Sequence, residues 1–225
     1  MQQGQETAGG LTRTPTSYDR LSHAYDGLFD AFEAPLRSEA IRYLEARPGE
    51  RILEIGSGTG RALPLLAAAV GRGGAVMGID LSARMLSRAS RRLVRRSDPA
   101  CVLLVRARAP FLPVRRVVFD AIFMTFTLEL FMPPNDAMVL AECRRLLLPH
   151  GRLVVASLWK DVRPGFTTRA YELGHRLAPR VLDCRPIDVD GLLRGSGFEV
   201  RRSTTRSLAG IPVRLAHAVP ADHSR

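Results

Sequence analysis

I52-L-E-I-G-S-G-T-G60 is the stretch that decides the fold of this chain. Its apolar half, Ile52 to Ile55, predicts a buried strand. The three glycines behind it predict a tight turn, because glycine has no Cβ and allows a ligand to approach the backbone closely. A helix predicted over 61–70 then directs its first N–H groups at that ligand. A second apolar run, A75-V-M-G-I-D80, predicts a strand that ends in a carboxylate placed for a ribose diol. Together the two stretches predict a nucleoside pocket.

A dinucleotide fits this turn poorly. The dinucleotide fingerprint needs a small residue at its last position, so that the helix can pack on the strand. In the register G56-S-G-T-G-R61 that position holds Arg61. A plain strand, turn and helix with a glycine-rich turn is the structural alternative. The spacing to Asp80 and the strands farther along the chain argue against it.

The form E-x-G-x-G-x-G, led by Glu54, resembles motif I of the class I S-adenosylmethionine-dependent methyltransferases. The resemblance implies that S-adenosylmethionine is the cofactor and that the glycine loop wraps its methionine part. It also implies that Glu54 orders the groups around the sulfonium and that Asp80 accepts hydrogen bonds from both ribose hydroxyls. The cofactor contacts expected on this basis are Glu54, Gly56, Ser57, Gly58, Gly60, Asp80 and Ala109, followed by Tyr25, Leu81, Met85, Arg108 and Thr125.

Three more stretches extend the resemblance to the ubiquinone/menaquinone-biosynthesis methyltransferases. F119-D-A-I-F-M-T-F-T-L-E-L-F131 is similar to their fourth strand and the loop behind it. C143-R-R-L-L-L-P-H-G-R-L-V-V155 is similar to the following helix, turn and fifth strand, with His150 where glycine is usual. Y18-D-R-L-S-H-A-Y-D26 resembles the N-terminal helix that closes over the cofactor. The match runs from Tyr18 to Val219 and specifies the superfamily better than the substrate.

One departure from the family pattern concerns the adenine. A107-R-A-P-F-L-P-V114 stands where relatives show G-D-A-x-x-L-P-F, which puts Arg108 in place of an aspartate that accepts from the adenine amino group. A guanidinium has no acceptor. Losing one such hydrogen bond costs about 1–3 kcal/mol, so we expect weakened cofactor binding. The backbone N–H of Ala109 can still meet the adenine, and Arg108 can stack on the ring or point to solvent.

Strand and helix patterns alternate along the chain, which is typical of a doubly wound α/β fold. We expect a mostly parallel, seven-stranded sheet with an antiparallel C-terminal hairpin around Ala209 and Gly210. The remaining predicted strands cover 101–105, 118–125, 152–158, 198–207 and 211–219, and the remaining helices cover 84–96, 135–147 and a short stretch after Asp188. We assign 1–17 to a disordered tail and 18–220 to a single domain, in which 159–187 is an inserted segment that caps the substrate.

At 225 residues the chain is near the upper end for one domain. Its cysteines, Cys101, Cys143 and Cys184, lie far apart, so we expect neither a disulfide nor a bound metal and favour a reducing compartment. The first residues lack the apolar core of a signal peptide, and no later apolar run is long enough to cross a bilayer. We therefore expect a soluble, cytoplasmic protein.

The formal net charge of +11 raises nucleic acid or an anionic membrane as a partner. Of the 33 basic residues only Lys160 is a lysine, and an arginine bias of this kind can also come from a high-GC genome. The densest cluster lies on the predicted helix 84–96 and comprises Arg84, Arg88, Arg91, Arg92, Arg95 and Arg96. Met85, Ala89 and Leu93 recur there at a spacing of four and should face the sheet, which leaves the arginines in solvent. Weak contact with an anionic membrane is the alternative. Since no aromatic residue interleaves, we expect no nucleic-acid partner.

Methyl transfer from a sulfonium is an in-line displacement that depends mainly on positioning. A carbon acceptor such as a hydroquinone ring would also use a base to remove its phenolic proton. The resemblance places three candidates beside the cofactor: His23, Tyr25 and Glu129. A structural role for His23, a lid role for Tyr25 and a loop-capping role for Glu129 are the respective alternatives.

The acceptor is expected to be a small, apolar molecule. Phe126, Leu128, Phe131 and Met132 follow the fourth strand, and Tyr171 and His175 lie one helical turn apart in the inserted segment. Taken singly, each residue is better explained by core packing, but together with the quinone-type loop they favour a hydrophobic small molecule over a nucleic acid or protein substrate. A quinone ring is the first substrate considered, ahead of lipid or amine N-methylation and natural-product O-methylation. An RNA or DNA methyltransferase, or a binding protein that has lost catalysis, is the remaining alternative. Arg108 and His150 are the residues that favour a non-catalytic protein.

Overall fold

A computed structural model describes residues 28–94, 100–115, 117–160, 185–208 and 210–221. The strands are β1 (Arg51–Ile55), β2 (Ala75–Asp80), β3 (Cys101–Arg106), β4 (Phe119–Thr125), β5 (Leu147–Leu158), β6 (Phe198–Leu208) and β7 (Ile211–Pro220). The helices are α1 (Leu28–Leu44), α2 (Leu63–Val70), α3 (Ala83–Val94), α4 (Asn135–Leu146) and α5 (Val189–Gly195), with a 3-10 turn at Leu128–Leu130.

The seven strands form one sheet in the order β3-β2-β1-β4-β5-β7-β6. All neighbouring pairs from β3 to β5 are parallel, whereas β7 is antiparallel to both β5 and β6. The predicted mostly parallel sheet and its C-terminal hairpin are therefore confirmed. Because the strand order reverses between β1 and β4, a crevice opens at their carboxyl ends, where open α/β sheets bind ligands.

Alternate strand residues point into two core clusters. One contains Leu53, Ile122 and Leu153 and packs against α4 and α5. The other contains Ile52 and Phe123, and α1, α2 and α3 cover it. Helices therefore lie on both faces of the sheet, as the strand–helix alternation predicts.

Two predicted boundaries were wrong. The second helix begins at Leu63, not at residue 61. A helix that began at residue 61 would need a hydrogen bond from the backbone N–H of Pro64, which proline lacks. The fifth strand begins at Leu147, not at residue 152, because Leu147 already pairs with Phe119. The pairing then jumps to Ala121 with Arg152, so that the expected turn is an irregularity within the strand.

The arginine-rich helix α3 does not divide into a fully buried apolar face and a fully solvated arginine face, as was predicted. Met85 and Ala89 are buried, as expected, but Leu93 is only half-buried. Its turn lies beside β3, the edge strand, where the sheet offers little further cover. Arg84 and Arg88 are also half-buried, so that this helix face is not fully solvated. Residues 95 and 96 lie outside the described residues.

Helix α1 packs across β4, β5 and β7. Leu36, Ala40 and Leu44 recur at a spacing of four and are buried against the second cluster. The Arg152 guanidinium of β5 donates to the carbonyls of Leu44 and Glu45 at the end of this helix. In the described part of the chain, no helix has the length and apolar character needed to span a membrane.

Candidate active site

A cleft of about 120 Å³ lies at the carboxyl ends of β1, β2 and β4. Its floor is the glycine loop, and α1 contributes one wall. The lining residues are Glu33, Arg37, Glu54, Gly56, Ser57, Gly58, Thr59, Arg61, Ala62, Asp80, Met85, Thr125, Phe126, Thr127 and Leu130.

Asp80 ends β2 and anchors the glycine loop. Its Oδ2 accepts a hydrogen bond from the Gly58 N–H at 2.8 Å, and its Oδ1 accepts one from the Ser82 N–H at 2.8 Å. The carboxylate is 7% exposed and lines the cleft. Two carboxylate oxygens offer about four acceptor positions, so Asp80 can accept from a diol while it holds the loop.

Glu54 brings a second carboxyl to the cleft from the central strand β1. The residue is 3% exposed, and its Oε2 has no hydrogen-bond partner among the described residues. Burial raises the pKa of this carboxyl to about 8; the Arg37 guanidinium opposes the rise, and the Asp80 charge adds to it. An unpartnered buried carboxyl beside a cleft is suited to a cationic ligand, whose charge favours the ionised form.

The glycines of the loop serve different purposes. A Cβ on Gly56 would lie 2.2 Å from Thr127 Oγ1, and a Cβ on Gly60 would lie 2.6 Å from Ala89 Cβ. These two positions therefore allow the loop to pack against the end of β4 and against α3. A Cβ on Gly58 would meet nothing within 4 Å, because that part of the backbone faces the open cleft.

The structure brings together seven of the residues predicted to contact the cofactor: Glu54, Gly56, Ser57, Gly58, Asp80, Met85 and Thr125. Gly60 is absent from the cleft lining and packs against α3, and Leu81 is 43% exposed outside the lining. Arg108 is exposed and forms an isolated bridge with Phe111, while Ala109 packs against the first core cluster. Tyr25 and His23 lie outside the described residues, as do Tyr171 and His175.

Glu129 lies in the 3-10 turn after β4 and is 1% exposed. Its Oε1 accepts a hydrogen bond from the Leu158 N–H at 3.4 Å, and its Oε2 has no partner among the residues described. Burial raises the pKa of this carboxyl to about 7, against backbone hydrogen bonds that include the one from Leu158. Glu129 is absent from the cleft lining. This position agrees with the loop-capping alternative rather than with direct contact to an acceptor.

The apolar residues after β4 do not form a single pocket. Phe126 lines the cleft in a left-handed conformation with φ of 50°. Leu128 is fully buried, and Phe131 packs on the first core cluster. Met132 is 60% exposed. Core packing is therefore the role of Leu128 and Phe131, as their alternative interpretation held.

Sequence reasoning missed part of the cleft lining. Glu33 and Arg37 reach the cleft from α1, one helical turn apart, and Thr127 and Leu130 reach it from the turn after β4. The only sequence signal for the first pair is their position beside the apolar spacing Leu36, Ala40 and Leu44. That spacing identifies the packed face of a helix, but it does not show that the residues beside this face will line a cleft.

Comparisons with known proteins agree with this geometry. Residues 52–151 match the model of the family described as methyltransferase domain. The chain is 36% identical over 145 residues to the demethylmenaquinone methyltransferase of Tropheryma whipplei, covering 64% of this chain and 56% of that protein. It is 30% identical over 169 residues to the ubiquinone/menaquinone biosynthesis C-methyltransferase of Teredinibacter turnerae, covering 75% and 66%. The chain thus spans just over half to about two thirds of the length of these relatives.

Solved structures show the same fold. A SAM-dependent methyltransferase from Aquifex aeolicus superposes with a TM-score of 0.66 at 20% identity, covering 92% of this chain and 100% of that one. The 1,6-didemethyltoxoflavin-N1-methyltransferase of Burkholderia thailandensis, with bound S-adenosylhomocysteine, superposes with a TM-score of 0.70 at 18% identity, covering 92% and 87%. Residues 52–151 thus match a methyltransferase domain, and the chain is similar in sequence and fold to the class I S-adenosylmethionine-dependent methyltransferases. Within that class it resembles the ubiquinone/menaquinone-biosynthesis family.

The residues of the cleft fit the cofactor of this class. Asp80 presents carboxylate oxygens to a diol, and the open side of Gly58 leaves room for the ligand. The unpartnered oxygen of Glu54 can pair with a cationic group of the ligand. S-adenosylmethionine contains all three features: a ribose diol, a slender methionine chain and two cationic centres, the sulfonium and the ammonium group.

Proposed function

We propose that this chain transfers the methyl group of S-adenosylmethionine to a small, apolar acceptor, with a quinol ring first among the candidates. The observation that carries the proposal is the Asp80 carboxylate, which holds the glycine loop at 2.8 Å while lining the cleft at the point where the strand order reverses. The unpartnered Glu54 carboxyl supports it.

The residues of the cleft position and desolvate the reactants. When bound, the cofactor supplies an electrophilic methyl on a sulfonium. Asp80 and the loop orient its ribose, and Glu54 balances positive charge in a buried setting. Holding the two reactants in line can lower the barrier by about 7–11 kcal/mol, so no covalent intermediate with the chain is required.

The acceptor side of the cleft combines apolar and hydroxyl groups. Phe126 and Leu130 provide apolar surface, and Thr125 and Thr127 lie beside them. An apolar ring with one or two hydroxyl groups matches such a lining. The names of the quinone-biosynthesis relatives support the same substrate class.

Proton removal from the acceptor remains a proposal with three candidates. His23 and Tyr25 belong to the predicted N-terminal helix, and Glu129 lies behind the cleft wall with its pKa raised to about 7. Because Glu129 holds the turn after β4 against the end of β5, we assign it to positioning that turn.

N-methylation of an amine or O-methylation of a natural product uses the same cofactor geometry and is the alternative chemistry.

A labelled-methyl assay tests the acceptor class. The full chain is incubated with methyl-labelled S-adenosylmethionine and, separately, with a short-chain demethylmenaquinol, a long-chain alkylamine and a phenolic natural product. We expect transfer to ring carbon of the quinol and loss of that transfer in Asp80→Ala. Transfer only to the amine or the phenol would replace the quinol by that class. Cofactor binding without transfer to any acceptor would favour a non-catalytic protein.

A further inference from the structure

The turn after β4, residues 126–131, is tied to its surroundings at three points. At its start, the Phe126 N–H donates to a carbonyl of β5 at 2.8 Å. In its middle, the Glu129 carboxyl accepts from a backbone N–H at the end of β5. At its end, the Phe131 carbonyl accepts from Arg185 Nη2 at 3.2 Å. Of these three ties, the last is supplied by a side chain from beyond β5.

Arg185 joins this turn to the first turn of α4. The same Nη2 that reaches the Phe131 carbonyl also donates to Asp136 Oδ2 at 3.1 Å. Asp136 is 2% exposed, and its Oδ1 accepts from the Ala137 N–H at 2.8 Å. The carboxylate is therefore held from two sides and gives the guanidinium a fixed partner. A planar guanidinium can bind a carbonyl and a carboxylate together, whereas an ammonium group is a point charge on a flexible stem.

The backbone beside Arg185 is fixed by the sheet. Two residues farther along the chain, Ile187 is 2% exposed and belongs to the first core cluster. Its N–H donates to the Leu158 carbonyl at 3.0 Å, and its carbonyl accepts from the Lys160 N–H at 3.1 Å. The guanidinium therefore reaches the turn from a backbone that is itself anchored to the end of β5.

One nitrogen of the Arg185 guanidinium is not used by these contacts. Arg185 Nε is buried and has no hydrogen-bond partner in the parts of the chain that the structure describes. A buried donor without a partner costs stability, so the contacts of this side chain do not maximise stability. This observation favours a role in placing the turn.

We propose that Arg185 is a positioning residue for the acceptor, because it fixes the Phe131 end of the turn and thereby the place of Leu130. Leu130 lines the cleft one residue before the carbonyl that Arg185 holds, and Phe126 lines it from the other end of the turn. Arg185 itself is absent from the lining and acts through the turn. A turn fixed at both ends needs less ordering when the acceptor binds. The inference rests on the proposed function, because that function places the acceptor against this turn.

Four variants separate a positioning role from a structural one. Arg185→Met removes the guanidinium, and Arg185→Lys keeps a positive charge. A double variant, Arg185→Met with Asp136→Asn, also removes the buried carboxylate that the single change leaves without its partner. Arg145→Met is the matched control. Arg145 also binds a carboxylate of α4, that of Glu142, and a backbone carbonyl, that of Val114, but it lies in the last turn of the helix.

Each variant is titrated with S-adenosylmethionine and assayed for labelled-methyl transfer to a short-chain demethylmenaquinol, or to the amine or phenol if the wild-type chain methylates that class instead. In Arg185→Met and in the double variant, KM for the acceptor should rise by about tenfold, the worth of a hydrogen bond from a charged group, while kcat changes less. Kd for S-adenosylmethionine should stay within about twofold, because the glycine loop is distant from the change. Arg185→Lys should show a smaller rise in KM, and Arg145→Met none.

Hydrogen exchange read by mass spectrometry reports on the turn without any acceptor. The amides of 126–132 should exchange faster in Arg185→Met and in the double variant, whereas those of 56–60 should keep the wild-type rate. Thermal unfolding shows whether each variant is folded. The double variant is expected to be the more stable of the two, because it contains no unpaired buried carboxylate.

Three results would overturn the inference. The first is a folded double variant with the wild-type KM and wild-type exchange in the turn. The second is an equal loss of acceptor and cofactor binding in both Arg185→Met variants, which would assign Arg185 to the overall fold. The third is the same rise in KM in Arg145→Met. If the wild-type chain methylated none of the acceptors, the proposed function would fall, and exchange would decide alone: faster exchange confined to 126–132 supports the placing of the turn by Arg185, and unchanged exchange refutes it.

Discussion

Burial of the Glu54 side chain affects both the stability of the folded chain and the binding of a ligand. A carboxyl that is 3% exposed and has an unpartnered oxygen destabilises the folded chain once it ionises. A cationic ligand next to it removes that cost. The residue is therefore placed for ligand binding rather than for stability.

The raised pKa of Glu54 predicts how stability depends on pH. Burial lifts this pKa from 4.5 to about 8, so that between these values the folded state holds a proton that the unfolded state has lost. The contribution of Glu54 to stability is therefore fully present below the unfolded pKa and is lost as the pH rises toward 8. Glu129, whose pKa is raised to about 7, acts in the same direction.

Thermal unfolding of the ligand-free chain between pH 5 and 8.5 measures this dependence. We expect the decline to become shallower in Glu54→Gln and in Glu129→Gln, and shallowest in the double variant. A double variant with the wild-type pH dependence would contradict the assignment of the decline to these carboxyls.

At the scale of elements, two glycines of the loop have different roles: Gly60 allows close packing, and Gly58 faces the ligand cleft. Gly60→Ala places a Cβ 2.6 Å from Ala89 Cβ, at a φ of 74°. Gly58→Ala meets nothing within 4 Å, at a φ of 52°. Gly60→Ala should destabilise the fold by about 2–4 kcal/mol through overpacking and the left-handed backbone. Gly58→Ala should cost about 1–2 kcal/mol from the backbone alone.

Denaturant unfolding and ligand titration of the two variants check this division. Gly58→Ala should lose more cofactor affinity than stability, because its new Cβ faces the cleft. Equal unfolding midpoints for the two variants would refute the packing role of Gly60.

Helix α1 depends on arginines of the sheet. Arg152 binds Glu50 through a pair whose side chains are only 12% and 13% exposed, and it also donates to two carbonyls that end the helix. Removing one partner of such a pair costs about 3–5 kcal/mol. Arg206, which binds Glu39 at 2.7 Å, is 45% exposed, and exposed pairs contribute about 1 kcal/mol or less.

Arg152→Met is therefore expected to destabilise the chain strongly and to speed hydrogen exchange of the amides in α1, and Arg206→Met is the control with a small effect. Hydrogen exchange read by mass spectrometry distinguishes the two. Comparable exchange in both variants would mean that the Arg152 pair does not anchor the helix.

The elements differ in how far the sequence predicted them. β1, β2 and the glycine loop were predictable, because apolar runs, three glycines and a terminal aspartate each impose a local conformation. The start of β5 was not, because pairing of Leu147 with Phe119 depends on a partner strand. The Glu33 and Arg37 wall was likewise out of reach, because the docking of α1 is decided by tertiary packing.

At the scale of the molecule, the reversal of strand order brings residues that were predicted separately, on three different strands, into one cleft. Glu54 on β1, Asp80 on β2 and Thr125 on β4 are far apart in the chain and line one cleft. Parallel strands end at the same edge of the sheet, so the position of the cleft follows from the alternation of strands and helices. The acceptor does not follow from it, because a fold of this class serves many substrates.

The central claim is that this cleft binds S-adenosylmethionine through Asp80. Calorimetric titration of the full chain and of Asp80→Ala with S-adenosylmethionine and S-adenosylhomocysteine tests it most directly, with thermal unfolding to show that the variant is folded. We predict micromolar binding of both ligands by the wild-type chain and a loss of at least tenfold in Asp80→Ala. Failure of the wild-type chain to bind either ligand, or equal binding by a folded Asp80→Ala, would contradict the account.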